Sequence, residues 1–200
     1  QLHQLLQYVP RMAEARVMLD ELEGGAEKIS SAGRDLQTLA RRGRGGKRKP
    51  IDVSVELETA LRLGTLKLRG KASIVANISR LPKVYMEEGA LIHVFNNLLS
   101  NAVQAIAAKG PGAHHISVDT ALEGDYVVIE IRDSGIGMSE TMCRRAFQPF
   151  VSTKNPGAGT GVGLTVARQV IEHAGGTIKL ESVENEGTTV TLEIPVYEPA

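Results

Sequence analysis

Tyr126-Val127-Val128-Ile129-Glu130-Ile131-Arg132-Asp133-Ser134-Gly135-Ile136-Gly137 changes character part-way along. Up to Arg132 apolar and polar residues largely alternate, the period of a strand with one face buried. An acid and two glycines follow as Asp133-x-Gly135-x-Gly137. Glycines past a strand end let the backbone turn sharply and let a flat ligand come close to it. A carboxylate there can accept from an exocyclic amine. The same residues would also make a plain turn.

The neighbouring segments place this strand in a sheet. His115 to Leu122 alternates in the same way, and Glu123-Gly124-Asp125 joins the two as a hairpin. Ile178 to Val183 and Thr189 to Ile194 predict a second hairpin. Between and before them lie helical patterns: Val55 to Leu66, Glu87 to Lys109 stopped by Gly110-Pro111-Gly112, and Val162 to Ala174 closed by Gly175-Gly176. Ser139 can cap a short helix to Arg145, and Ala72 to Ile78 reads as extended. Helices interleaved with antiparallel strands predict an α+β fold, a two-layer α/β sandwich with helices on one sheet face.

Composition narrows the function classes. The 200 residues hold 42% hydrophobic and 23% charged side chains, those of a globular chain. Lys+Arg and Asp+Glu balance at 23 each, so charge makes no case for a nucleic-acid or membrane partner. One cysteine, Cys143, excludes a disulfide scaffold and a thiolate zinc site and suits a reducing, cytoplasmic setting. No run approaches the roughly 18 apolar residues of a membrane span, and Gln1-Leu2-His3 is no signal peptide. The missing initial Met leads us to expect a piece of a longer protein.

Residues 11–42 predict one helix, with Ala15, Leu19, Leu22, Ala26, Ile29, Gly33, Leu36 and Ala40 in heptad spacing. Gly24, Gly25 and Gly33 each cost such a helix about 1 kcal/mol, so packing must hold it, in a dimerising bundle or against its own domain. Arg41 to Pro50 then collects six cations with Gly and Pro. That stretch reads as a solvated linker rather than a nucleic-acid patch, because no aromatics interleave.

Two further stretches carry chemistry. On the helix of residues 87–109, Leu91, Phe95, Leu98, Ala102 and Ala105 form an apolar stripe, while Asn97, Asn101 and Gln104 fall at i, i+4 and i+7. Amide carbonyls suit a hard cation such as Mg²⁺, although a polar stripe also serves as a solvent face. Downstream, Phe147-Gln148-Pro149-Phe150-Val151-Ser152-Thr153-Lys154 leads to glycines at alternate positions from Gly157 to Gly163 and then to an apolar helix start. A glycine-rich loop entering a helix N-terminus offers N–H groups and a positive dipole end to an anion, and Lys154 adds a cation. It is neither a P-loop nor a Rossmann turn.

Taken in order, these stretches resemble the nucleotide-binding domain of sensor histidine kinases, in the group shared with gyrase, heat-shock-90 and mismatch-repair ATPases. Asn97-Leu98-Leu99-Ser100-Asn101-Ala102 is similar to the N box of that family. Asp133 to Gly137 is similar to G1, Phe147 to Lys154 to the F box, Gly159 to Leu164 to G2, and Gly187-Thr188 to the closing GT pair. The likeness covers about Pro50 to Pro195. It implies a Bergerat ATP-binding fold over residues 51–200, a basic linker at 45–50, and part of a dimerisation and phosphotransfer hairpin at 1–44, where Arg34-Asp35-Leu36 fits the second hairpin helix.

The resemblance also implies roles. Asn101 would bind Mg²⁺ between the phosphates of ATP, assisted by Asn97, with Gln104 beside them. Asp133 would accept from the adenine 6-amino group, supported through water by Thr188, while Gly135 and Gly137 leave room for the base. Lys154, Gly159, Thr160, Gly161 and Gly163 would form the lid over the phosphates, Phe150, Thr153, Val162 and Leu164 would belong to the same ATP site, and Lys154 would take part in transfer alongside Asn97 and Asn101. His93 stands where the family often has Gln, and Asn96 where an apolar residue is usual. Asn97 stands where the ATPase branch has a Glu general base, so the implied reaction is transfer rather than rapid hydrolysis. The acceptor His is expected upstream of Gln1, since His3 lacks the family's surrounding pattern. The implied partners are a second copy and a response-regulator receiver domain, the parent chain having room for a membrane anchor. The alternative is a nucleotide-binding pseudokinase without its own acceptor.

Overall fold

The computed structural model describes residues 47–68, 72–152 and 160–198, together with Met18, Gly25, Ser30 and Gly33, which are helical. The chain divides into two compact units, Gln1–Ala40 and Arg41–Ala200. Apart from Gly33, the heptad positions lie outside the described residues, as does the basic stretch before Lys47.

The second unit runs β1 (Arg48–Ile51), α1 (Val53–Leu68), β2 (Ser73–Asn77), β3 (Val84–Glu87), α2 (Ala90–Lys109), β4 (His115–Glu123), β5 (Tyr126–Asp133), α3 (Glu140–Cys143), α4 (Gly163–His173), β6 (Thr177–Val183) and β7 (Gly187–Pro195). Five strands form one mixed sheet in the order β2-β4-β5-β7-β6, with β2 parallel to β4 and the other pairs antiparallel. Both expected hairpins are present, and β7 joins them by pairing with β5.

Strand alternation sorts the sheet into an apolar and a polar face. Ile116 and Val118, Val127, Ile129 and Ile131, and Val190, Leu192 and Ile194 are buried. They meet Leu57 and Ala60 of α1, Leu91, Phe95, Leu98 and Ile106 of α2, and Ala167 and Ile171 of α4 in one core. Burying each large side chain there is worth about 1.5–3 kcal/mol. Glu130, Arg132, Lys179 and Glu181 on the other face are exposed, so the sandwich has two layers.

Two segments depart from the sequence reading. Arg48–Pro50, read as the end of a linker, belong to β1, which pairs antiparallel with β3 and sets Pro50 opposite Tyr85. A two-stranded ribbon has edges where Pro is tolerated, and this one is fastened from outside its own sequence. Lys49 pairs with Glu88 at 2.8 Å, and the Arg48 guanidinium donates to the His173 carbonyl at 2.6 Å. Glu87 lies in β3 rather than in the long helix; Gly89, at φ 74°, separates the two. The alternation of buried Val84 and Met86 with exposed Tyr85 is the strand period that marks β3.

Candidate functional site

The buried polar side chains among the described residues are Thr120, Asp133 and Thr188. Thr120 has a structural explanation, since its hydroxyl accepts the Ser79 N–H at 2.8 Å. The other two are direct partners across β5 and β7, at one end of the sheet. Asp133 follows Val127, Ile129 and Ile131 on the inward face, so strand parity turns its carboxylate toward the helical layer.

Burial pushes the Asp133 carboxyl above the usual aspartate range, against backbone hydrogen bonds from Gly135 and Thr188 and the positive charge of Lys109. The Gly135 N–H reaches Oδ1 at 2.8 Å. An ionised carboxylate has about four acceptor positions, so two backbone bonds leave capacity for a ligand amine. The Thr188 hydroxyl lies 2.9 Å from that of Ser182, which also donates to the Gly187 carbonyl at 2.8 Å. Gly187 itself passes so close to β5 that a Cβ there would stand 1.9 Å from the Asp133 carbonyl oxygen.

The loop after β5 is fixed on several sides. The Ser134 N–H donates to the His115 carbonyl at 3.1 Å, and the Ser134 hydroxyl accepts the His115 N–H at 3.0 Å. The Ile136 N–H donates to the Ala105 carbonyl at 3.2 Å. Gly135 lies against the same residue, where a Cβ would come within 2.6 Å of Ala105 Cβ. Backbone approach this close allows no side chain, which accounts physically for the glycines read from the sequence.

Helix α2 joins this loop to the start of α4. Asn97 Nδ2 donates to the Gly163 carbonyl at 3.4 Å, at the start of α4. Asn97, Asn101 and Ala105 are spaced i, i+4, i+8 and share one helix face. Asn101 therefore lies on the stripe between the contact with α4 and the contact with the Asp133 loop. Gln104 is exposed, and its amide donates to Ser100 Oγ at 3.2 Å along the helix.

Helix α4 begins after Val162 without a side-chain cap. First-turn N–H groups at an uncapped helix start, here those of Gly163 and Leu164 among them, have no partner within the helix, and such groups suit an anion. Val162 is buried, and its N–H reaches Thr160 Oγ1 at 3.3 Å. Just upstream the Phe150 N–H donates to the Gly161 carbonyl at 2.9 Å, with φ of 65° and 66° at the two residues. Phe150 is 74% exposed, so its strained backbone does not serve to bury the ring. Thr153, Lys154 and Gly159 lie outside the described residues.

A recess of about 480 Å³ is lined by Tyr85, Asp125, Tyr126, Tyr197 and Pro195 among others, at the opposite end of the sheet. Tyr126 pairs with Pro195 seven residues from the Asp133–Thr188 pair, which separates that recess from the site described here. No cluster of three His, Cys, Asp or Glu side chains able to hold a metal occurs among the described residues. The amide oxygen of Asn101 is of the chemical type that suits a hard cation but supplies no charge, so by itself it makes no metal centre.

Nothing local in the sequence marks Ser182 or the Ala105 contact as part of the site. Lys109 is visible as a cation in the last turn before Gly110-Pro111-Gly112, but its partner, the Ser134 carbonyl, is set by tertiary packing.

The described residues form a two-layer sandwich with a buried acid–threonine pair at one sheet end and an uncapped helix start beside an amide stripe. Residues 86–198, over half of the chain, match the family model described as histidine kinase-, DNA gyrase B-, and HSP90-like ATPase. The chain belongs to that family. Sporulation kinase E of Bacillus subtilis (strain 168) is 39% identical over 124 residues, covering 62% of this chain and 16% of that protein. Sensor histidine kinase ZraS of Escherichia coli (strain K12) is 39% identical over 116 residues, covering 58% of this chain and 24% of ZraS. The chain thus matches less than a quarter of the length of either relative. The catalytic domain of histidine kinase ThkA superposes with a TM-score of 0.62 at 26% identity, over 76% of this chain and 99% of that one.

Proposed function

We propose that this chain is the ATP-binding catalytic part of a sensor histidine kinase, which passes the γ-phosphate of ATP to a histidine for relay to an aspartate of a response regulator. The observation that carries the reading is the Asp133–Thr188 pair, a buried acid and hydroxyl at one sheet end, whose following loop meets α2 at Ala105. Family membership and relatives named as sporulation and sensor kinases support it.

Asp133 accepts from the 6-amino group of adenine. Guanine carries a carbonyl oxygen at that position, and two acceptors face to face in a buried site are strongly unfavourable. The N–H groups at the start of α4 bind phosphate oxygens. Asn101 would hold Mg²⁺ through its amide oxygen, and Asn97 orients the start of α4 through Gly163. When bound, the ion would supply charge neutralisation on the phosphoryl group being transferred. No carboxylate stands at Asn97 to take a proton from water, so ATP is held for an incoming imidazole rather than hydrolysed rapidly.

A homodimer through the N-terminal helix, a receiver domain as phosphate acceptor and a cytoplasmic setting complete the reading. Titration of the chain with ATP and GTP tests its centre. Asp133→Ala should weaken ATP by about 1.5–3 kcal/mol, a hydrogen bond to a charged group, and abolish the preference over GTP. Unchanged ATP affinity would reject the adenine assignment.

A further inference from the structure

Lys109 is the last residue of α2, and nothing in the proposed chemistry uses it. Its half-buried Nζ donates to the Ser134 carbonyl at 2.8 Å. A lysine in a last helical turn ordinarily points to solvent near the helix's own unpaired carbonyls. Here the ammonium instead reaches another element, and the long side chain gives up rotamer freedom to do so.

The carbonyl it grips belongs to the residue directly after Asp133. Ser134 is already fixed to His115 through its N–H and hydroxyl, and the next peptide is fixed to Ala105 through the Ile136 N–H. Lys109 supplies a remaining attachment, at the peptide oxygen between Ser134 and Gly135. Rotation of that peptide would carry away the Gly135 N–H, which holds Asp133 Oδ1. The hold on Ser134 therefore reaches the acid through a single peptide unit.

We propose that Lys109 is a specificity-determining positioning residue, which fixes the Ser134–Gly135 peptide so that the Asp133 carboxylate is presented to the 6-amino group of adenine. The inference rests on the assignment of Asp133 to the base. The charge of Lys109 acts in the same sense, opposing the burial that disfavours the ionised acid. A cation that served only to cap α2 would leave base selection untouched.

The test compares dissociation constants for ATP and for purine riboside triphosphate, which keeps the sugar and phosphates but lacks the 6-amino group. The ratio of the two is measured in the 200-residue chain and in Asp133→Ala, Lys109→Met, Lys109→Arg and the Lys109→Met/Asp133→Ala double variant. Lys109→Met should reduce the preference for ATP roughly five- to tenfold, Lys109→Arg should restore most of it, and Lys109→Met should have no further effect once Asp133 is Ala. Lys109→Gln reads the same quantity if the Met variant does not fold. A collapsed preference in Asp133→Ala beside a wild-type preference in Lys109→Met and Lys109→Gln would overturn the Lys109 inference alone. An unchanged preference in Asp133→Ala would overturn the base assignment and this inference with it. Equal weakening of both nucleotides by Lys109→Met would show a merely structural attachment.

Discussion

Gly137 and Val183 approach so closely that a Cβ on the glycine would stand 1.9 Å from the valine's carbonyl oxygen. The glycine also holds φ at 63°, in the left-handed region. Both constraints act at the turn that carries the chain away from Asp133, and β6 supplies the wall. Gly137→Ala should therefore destabilise the domain by about 2–4 kcal/mol, through backbone displacement added to left-handed strain. Urea denaturation giving a midpoint near that of the parent chain would refute this account of the turn.

Asp133 offers a test through pH. Its folded carboxyl titrates above the ordinary aspartate value of about 3.9. Below that value the group is neutral folded and unfolded and contributes nothing. As pH rises the unfolded chain ionises first, so stability falls until the folded-state pKa is passed, and the loss is complete above it. Asp133→Asn does not titrate and keeps an acceptor for the Gly135 N–H. The Tm of Asp133→Asn relative to the parent should thus climb from about pH 4 upward and then level off. A difference that stays flat across the range would contradict the burial cost.

Asn101 lies on the α2 stripe between Asn97, bonded to Gly163, and Ala105, in contact with Gly135. If its amide oxygen completes a magnesium site with phosphates, Asn101→Ala should remove most of the Mg²⁺ dependence of ATP binding, a loss of at least tenfold in the presence of the ion, or about 1.4 kcal/mol. Magnesium-dependent binding that persists in the variant would exclude the ligand role.

The Thr188 hydroxyl, bonded to Ser182 at 2.9 Å, is the polar companion of the buried acid. Thr188→Val keeps the shape and removes the bond, leaving Ser182 its link to Gly187. A stability loss of about 1 kcal/mol is expected, with a larger loss in affinity for ATP than for the nucleotide lacking the 6-amino group. Equal losses for both would detach Thr188 from base recognition.

The sequence displayed what depends on local period and backbone freedom. The alternation of Val127, Ile129 and Ile131, the glycines at positions 135, 137 and 187, and the stripe Leu91, Phe95, Leu98 and Ala102 could all be read directly. Interactions between distant segments could not. Arg48–Pro50 resemble a linker by composition and become a strand only because Val84–Glu87 lie beside them. The parallel pairing of β2 with β4 and the reach of Lys109 to Ser134 likewise have no local mark in the sequence. The amides at 97 and 101 were visible as a spacing, but their placement between Gly163 and Gly135 emerges only when α2 is packed.

Asp133 shares its strand face with Ile131, Ile129 and Val127, so the acid and the core obey a single parity along β5. One residue inserted or deleted between Val127 and Asp133 would put the acid and the aliphatic residues before the change on opposite faces of the sheet. Length changes at Gly124-Asp125, in the turn before the strand, leave that parity intact. The domain is thus open to indels at one end of the hairpin and closed to them along the strand, and variants that keep the fold through such changes inherit the acid in place.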